Sequence, residues 1–153
     1  MALARAVLPG MLERRYGNVL NVVTSGARNA LPLFSSYAAS KAALWAWGEA
    51  LSRELEGSGV SVLSFVPPHM DTATRRQLGR RAIGYYSVGG GVSSRGLATP
   101  AQVAEAALAA AAAGRSVFVP AAVRWETAIN AVLPGRVRAR LVRAWKGVRR
   151  GDR

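Results

Sequence analysis

Apolar and polar positions along the chain switch between a helical and a strand-like period. In residues 2–15, Leu3, Val7, Leu8, Met11 and Leu12 recur near helical spacing and predict a helix. Pro9 falls inside that pattern and predicts a bend, because its ring removes an N–H and crowds the preceding turn. Gly17 stops the helix. Asn18 to Val23 is a short apolar run rich in valine, which reads as a buried strand closed by Thr24-Ser25-Gly26. After a loop containing Pro32, Ser36 is the expected N-cap of a long helix from Tyr37 to Glu56. Gly57-Ser58-Gly59 closes that helix. Val60 to Val66 is strongly β-prone, and Pro67-Pro68 ends it, since proline cannot donate to a ladder.

The second half carries less pattern at first. Asp71 to Arg81 reads as a basic helix, and Gly84 to Gly96 as a loop rich in Gly and Ser. Thr99-Pro100 is an N-cap followed by a proline at the first helical position. The helix it opens runs to Ala113, and Gly114 caps it. Ser116 to Val119 is a third strand ended by Pro120, with two further helices expected near 122–132 and 135–149. Strand–helix–strand–helix–strand, with connections long enough for crossovers, predicts an α/β fold on a parallel sheet. Ligands of such sheets bind at the carboxyl ends of the strands. That rule points to Thr24-Ser25, to Pro67–Thr72 and to the start of the long helix.

Composition narrows the chemistry. The 153 residues suit one domain, and 50% hydrophobic against 19% charged is a globular balance. With no cysteine there is no disulfide, iron–sulfur or zinc-thiolate framework, and one histidine argues against a metal site. The net charge of +13 comes from 19 Arg and only 2 Lys against 8 acidic residues. Eight of the basic residues lie in residues 136–153, interleaved with Val137, Leu141, Ala144, Trp145 and Val148 at helical spacing. That tail reads first as a solvated terminal helix and second as an anionic membrane-surface contact, with no nucleic-acid partner expected. No apolar run is long enough to span a bilayer and no signal peptide is apparent, so the expected location is cytoplasmic.

The candidate chemistry sits on a hydroxyl, a tyrosine and a lysine. Tyr37 and Lys41 are four residues apart on the long helix, so both project from one face. An ammonium beside a phenol favours the phenolate, and such a pair can pass a proton to or from an oxygen. A hydroxyl from Thr24 or Ser25, at the end of the preceding strand, can hydrogen-bond the same oxygen.

At these residues the sequence resembles the short-chain dehydrogenases/reductases. Gly17 to Gly26 resembles the family's strand leading to its catalytic serine, and Ser36 to Leu44 its Tyr-x-x-x-Lys helix. Pro67-Pro68-His69-Met70-Asp71-Thr72 is similar to the Pro-Gly-x-x-x-Thr turn at the nicotinamide, and Thr99 to Ala104 to the helix before the last strand. The resemblance implies a Rossmann-like, doubly wound parallel sheet with helices on both faces. It implies NAD or NADP as cofactor and a small carbonyl or alcohol substrate. Tyr37 would be the general acid/base, Lys41 would assist it and hold the nicotinamide ribose, and Thr24 or Ser25 would supply the hydroxyl. Pro67, Pro68, His69, Met70 and Thr72 would line the nicotinamide. A homo-oligomer packed through the Tyr37–Glu56 helix is implied as well, with Trp45 and Trp47 as packing or interface residues.

The chain departs from the family at two points. Pro68 stands where the family has glycine, which removes an N–H from the turn. The Gly-rich strand–turn–helix that seats the cofactor pyrophosphate is absent, so the chain reads as the C-terminal part of a reductase. The expected organisation is a partial catalytic domain over 1–134 and a basic amphipathic tail over 135–153. A non-catalytic remnant, or a surface module acting through that tail, is the competing reading.

Overall fold

Three β-prone runs form one parallel sheet in a computed structural model that describes residues 1–28, 35–68, 70, 72, 73 and 97–121. Beyond these it describes positions 124, 125, 128, 132, 135, 139, 142 and 143. Helix α1 (Ala2–Glu13) leads into β1 (Gly17–Val22), a short 3-10 turn (Ser25–Ala27) and helix α2 (Ser35–Glu54). Strand β2 (Val60–Phe65), helix α3 (Pro100–Ala112) and β3 (Val117–Phe118) follow. The strands lie in the order β1–β2–β3, all parallel, with Gly17 opposite Val60 and Phe65 opposite Phe118.

Side chains on β2 alternate between two apolar layers, as the pleat requires. Val60 and Val62 pack with Leu51 and Leu55 of α2, and with Leu8 and Met11 of α1. Leu63 and Phe65 point the other way, against Val103, Ala107 and Ala110 of α3. Helices therefore cover both faces, which is the doubly wound arrangement. Phe65 and Phe118 stack across the strands with centroids 4.9 Å apart. Phe65, Leu63 and Val62 are almost wholly buried, and each contributes about 1.5–3 kcal/mol by leaving water.

Most element ends follow local rules. Thr99 and Gln102 form a capping box: the Thr99 hydroxyl accepts from the Gln102 amide at 3.3 Å, and Gln102 Oε1 accepts from the Thr99 amide at 2.9 Å. Gly59 has φ +83, and a Cβ there would lie 2.1 Å from the Arg15 carbonyl oxygen, so this turn requires glycine. Two expectations change. The long helix starts at Ser35, so Ser36 lies inside its first turn and is not the N-cap. The helix also ends two residues early, at Glu54, where a turn over 55–59 takes over and the Ser58 hydroxyl donates to the Leu55 carbonyl. Pro9 stays within α1, near its C-terminal half. The expected helix over 71–81 lies outside the described residues apart from Thr72 and Ala73, and the loop over 84–96 lies wholly outside them. Past Pro120, the described positions 121–143 are helical and exposed.

Two features of the sheet have consequences that can be measured. Helix α2 approaches the strands at Gly48, where a Cβ would lie 2.5 Å from Ser64 Oγ and 2.7 Å from Asn21 Nδ2. We expect Gly48→Ala to lower stability by about 1–3 kcal/mol from overpacking, outweighing a helix-propensity gain of about 1 kcal/mol. Ser64→Ala in the same chain should recover part of the loss in a urea titration. The second feature is the side of β1 turned away from α2, where Leu20 is 39% and Val22 48% exposed. Beside it, β1 has an edge with no strand partner among the described residues. Leu20→Lys should reduce concentration-dependent light scattering while leaving the unfolding midpoint nearly unchanged.

Candidate active site

Lys41 ties the long helix to the end of the first strand. Its Nζ donates to the carbonyl of Val22, the last residue of β1, at 2.9 Å. A charged donor on a strand-end carbonyl is a strong hydrogen bond, so it holds the first half of α2 in register with the sheet. The same nitrogen is 6.0 Å from the centroid of the Tyr37 ring, as residues one helical turn apart should be. Tyr37 is 50% exposed, so its ring stands at the rim and not in the core. The Ser40 hydroxyl donates to the Tyr37 carbonyl at 2.8 Å, which occupies that side chain with the helix itself.

Thr24 and Ser25 lie directly beyond the strand end that Lys41 holds. Thr24 has extended backbone and caps the 3-10 turn, its Oγ1 accepting from the Gly26 amide at 3.3 Å. That bond uses an oxygen lone pair, so the hydroxyl proton can still be donated to a ligand. Ser25 is the first residue of the turn, and both side chains are half-buried. Helix α2 packs against this turn, so the hydroxyls, the lysine and the tyrosine share the carboxyl end of β1. Parallel α/β sheets bind ligands at that end.

The turn after β2 is only partly described. Pro67 and Pro68 are half-buried as they leave the strand, and Met70 forms a parallel bridge to Ala98 at the approach to α3. Thr72 is half-buried. His69 and Asp71 lie outside the described residues. Among the described residues there is no Gly-rich strand–turn–helix, and no group of three or more His, Asp or Glu that could hold a metal. Among them, too, no helix is long and apolar enough to cross a membrane.

Several residues at this end carry no motif and were not singled out by sequence as a site. A cavity of about 490 Å³ opens beside Thr24 and Ser25 and is lined by Arg28, Trp45, Arg115 and Arg124, among others. Trp45, expected as a packing or interface residue, is buried with Val23 and Val66. Trp47 is half-buried against the cluster around Leu51. The arginines come from three separate stretches, and only the closing of the sheet brings them together.

Comparison with known proteins matches residues 1–82 to the family described as short chain dehydrogenase. A ketoacyl reductase (HetN) of Nostoc sp. is 36% identical over 70 residues, 46% of this chain and 24% of that protein. A short-chain dehydrogenase structure from Streptomyces avermitilis aligns over 99% of this chain and 58% of its own, with TM-score 0.63 and 27% identity. An actinorhodin polyketide ketoreductase crystallised with NADPH aligns over 71% of this chain and 46% of its own, with TM-score 0.55 and 25% identity. The chain thus spans about half the length of these solved relatives, and its match covers about a quarter of the curated one. The match over more than half its length, together with the parallel sheet and the position of the Tyr37–Lys41 helix, shows that the chain belongs to the short-chain dehydrogenase family.

Proposed function

We propose that this chain carries the proton-transfer machinery of an NAD(P)-dependent oxidoreductase acting on a small carbonyl or alcohol. One observation carries the reading most directly. The Lys41 ammonium is fixed on the Val22 carbonyl at 2.9 Å, one helical turn from Tyr37 and beside the Thr24–Ser25 turn. Its donor set fits the nicotinamide end of a cofactor, since an ammonium and neighbouring hydroxyls complement ribose hydroxyls and a carboxamide. No comparable seat for the pyrophosphate is found among the described residues. A nicotinamide cofactor, when bound, supplies or accepts the hydride.

The chain's own residues then handle the oxygen. In the reducing direction, Tyr37 donates its phenolic proton to the carbonyl oxygen as negative charge grows there. Lys41 stabilises the phenolate that remains and, through its bond to Val22, keeps the helix face aimed at the strand end. Thr24 or Ser25 donates a hydrogen bond to the same oxygen and orients it. In the oxidising direction each proton moves the opposite way. Pro67, Pro68, Met70 and Thr72 belong to the cofactor side of this reading, as does His69. A homo-oligomer through α2 fits it without being required by it.

Two experiments test the reading. Titration with NADPH and NADH, followed by nicotinamide fluorescence, should show saturable binding, which Lys41→Met weakens. With an accepted carbonyl, Tyr37→Phe should lower kcat/KM by about 10²–10⁴-fold while cofactor affinity changes little. Absence of both cofactor binding and turnover would overturn the oxidoreductase reading and favour a non-catalytic role. Comparing Thr24→Val with Ser25→Ala should show the larger kcat loss, about 10-fold or more, in Thr24→Val. The reverse order would assign the hydroxyl to Ser25.

A further inference from the structure

The cavity beside Thr24 and Ser25 has a chemistry that proton transfer does not use. Beside Trp45 of α2, Val66 and Val119 give it an apolar wall, and Val117 and Phe118 line it as well. Arg28, Arg115 and Arg124 also line it, and among its described lining residues none is acidic. Arg28 stacks over the Trp45 ring with Cζ 4.5 Å from the centroid. Its guanidinium also lies 3.9 Å from Glu49, the one carboxylate with which a described residue forms an ion pair. Three guanidinium charges against that carboxylate leave a net charge of +2. Trp45 is 6% exposed, and its indole N–H is buried without a hydrogen-bond partner among the described residues.

These groups select for one kind of ligand. Guanidinium nitrogens only donate, so the polar part of the cavity complements a group rich in acceptors. A net +2 matches a phosphate monoester, which carries about −1.5 to −2 near neutral pH, better than a single carboxylate. Arginine's planar fork suits phosphate oxygens. The apolar wall and a volume of about 490 Å³ leave room for a short carbon chain as well.

We propose that this cavity holds the phosphate group of a phosphorylated carbonyl substrate, with Arg28, Arg115 and Arg124 as counter-charges. The carbonyl end then lies toward Thr24 or Ser25. The assignment of that end rests on the oxidoreductase reading, whereas phosphate binding itself does not. A cofactor phosphate has the same chemistry, so the test must separate the two sources.

Isothermal titration calorimetry, in phosphate-free buffer at fixed ionic strength, is the measurement. Inorganic phosphate should bind saturably, and chloride should not compete at equal ionic strength. The double variant Arg115→Gln/Arg124→Gln should raise Kd at least tenfold, while Arg115→Lys/Arg124→Lys, which keeps the charge and loses the fork, should raise it less. Glycolaldehyde phosphate should bind at least tenfold more tightly than inorganic phosphate, and adenosine 2′-monophosphate no more tightly. Tighter binding of the adenosine compound would reassign the site to the cofactor and overturn the substrate proposal. So would the lack of saturable phosphate binding, or binding unaltered in the Gln double variant. Tyr37→Phe should bind phosphate like the unaltered chain. Phosphate binding without turnover of any carbonyl would count against the oxidoreductase reading and leave the phosphate site standing.

Discussion

Helix α2 lies so close to β1 and β2 that one added methyl at Gly48 would overlap both Ser64 and Asn21. Everything functional at the carboxyl end of the sheet depends on that approach. It brings Lys41 within 2.9 Å of the Val22 carbonyl, and it buries Trp45 between Val23 and Val66. Interiors packed to crystal-like density do not absorb such a displacement gradually. A helix held further out would lose the lysine tether and the wall of the arginine-lined cavity together. Asn21 Nδ2 and Ser64 Oγ, buried without a partner among the described residues, mark where closeness is favoured over polar satisfaction.

The division of the two sheet faces explains how the site is supported. On one face, α1 and α2 pack over β1 and β2 through Leu8, Met11, Leu51 and Leu55. On the other, α3 covers Leu63 and Phe65 and leaves Leu20 and Val22 of β1 exposed. The core is therefore thickest under β2, in the middle of the described sheet. The tyrosine, the lysine and the hydroxyls sit at the end of β1, whose outer side has no strand partner among the described residues.

Much of this was legible beforehand. Valine-rich runs bounded by Gly and Pro marked all three strands, and Thr99-Pro100 marked a helix start that the capping box bears out. The Tyr37–Lys41 spacing marked one helix face, because four residues is about one turn. Less was legible where local signals compete. Ser36 looked like an N-cap, yet helical hydrogen bonding begins a residue earlier. Glu56 looked helical, but the positive φ values of Gly57 and Gly59 unwind the chain before it. The cavity was invisible, since Arg28, Arg115 and Arg124 share no period and no motif.

The sequence by itself determined the alternation of strands and helices, the parallel sheet and the placing of Tyr37 and Lys41 on one helix face. Those follow from local propensity and from periods of two and 3.6, which any window of the chain expresses. Tertiary structure alone decided that Lys41 is tethered to Val22, and that three arginines distant in sequence line one cavity beside Trp45. These are contacts between residues far apart in the chain. They depend on how closely helix and sheet pack, which no local pattern encodes.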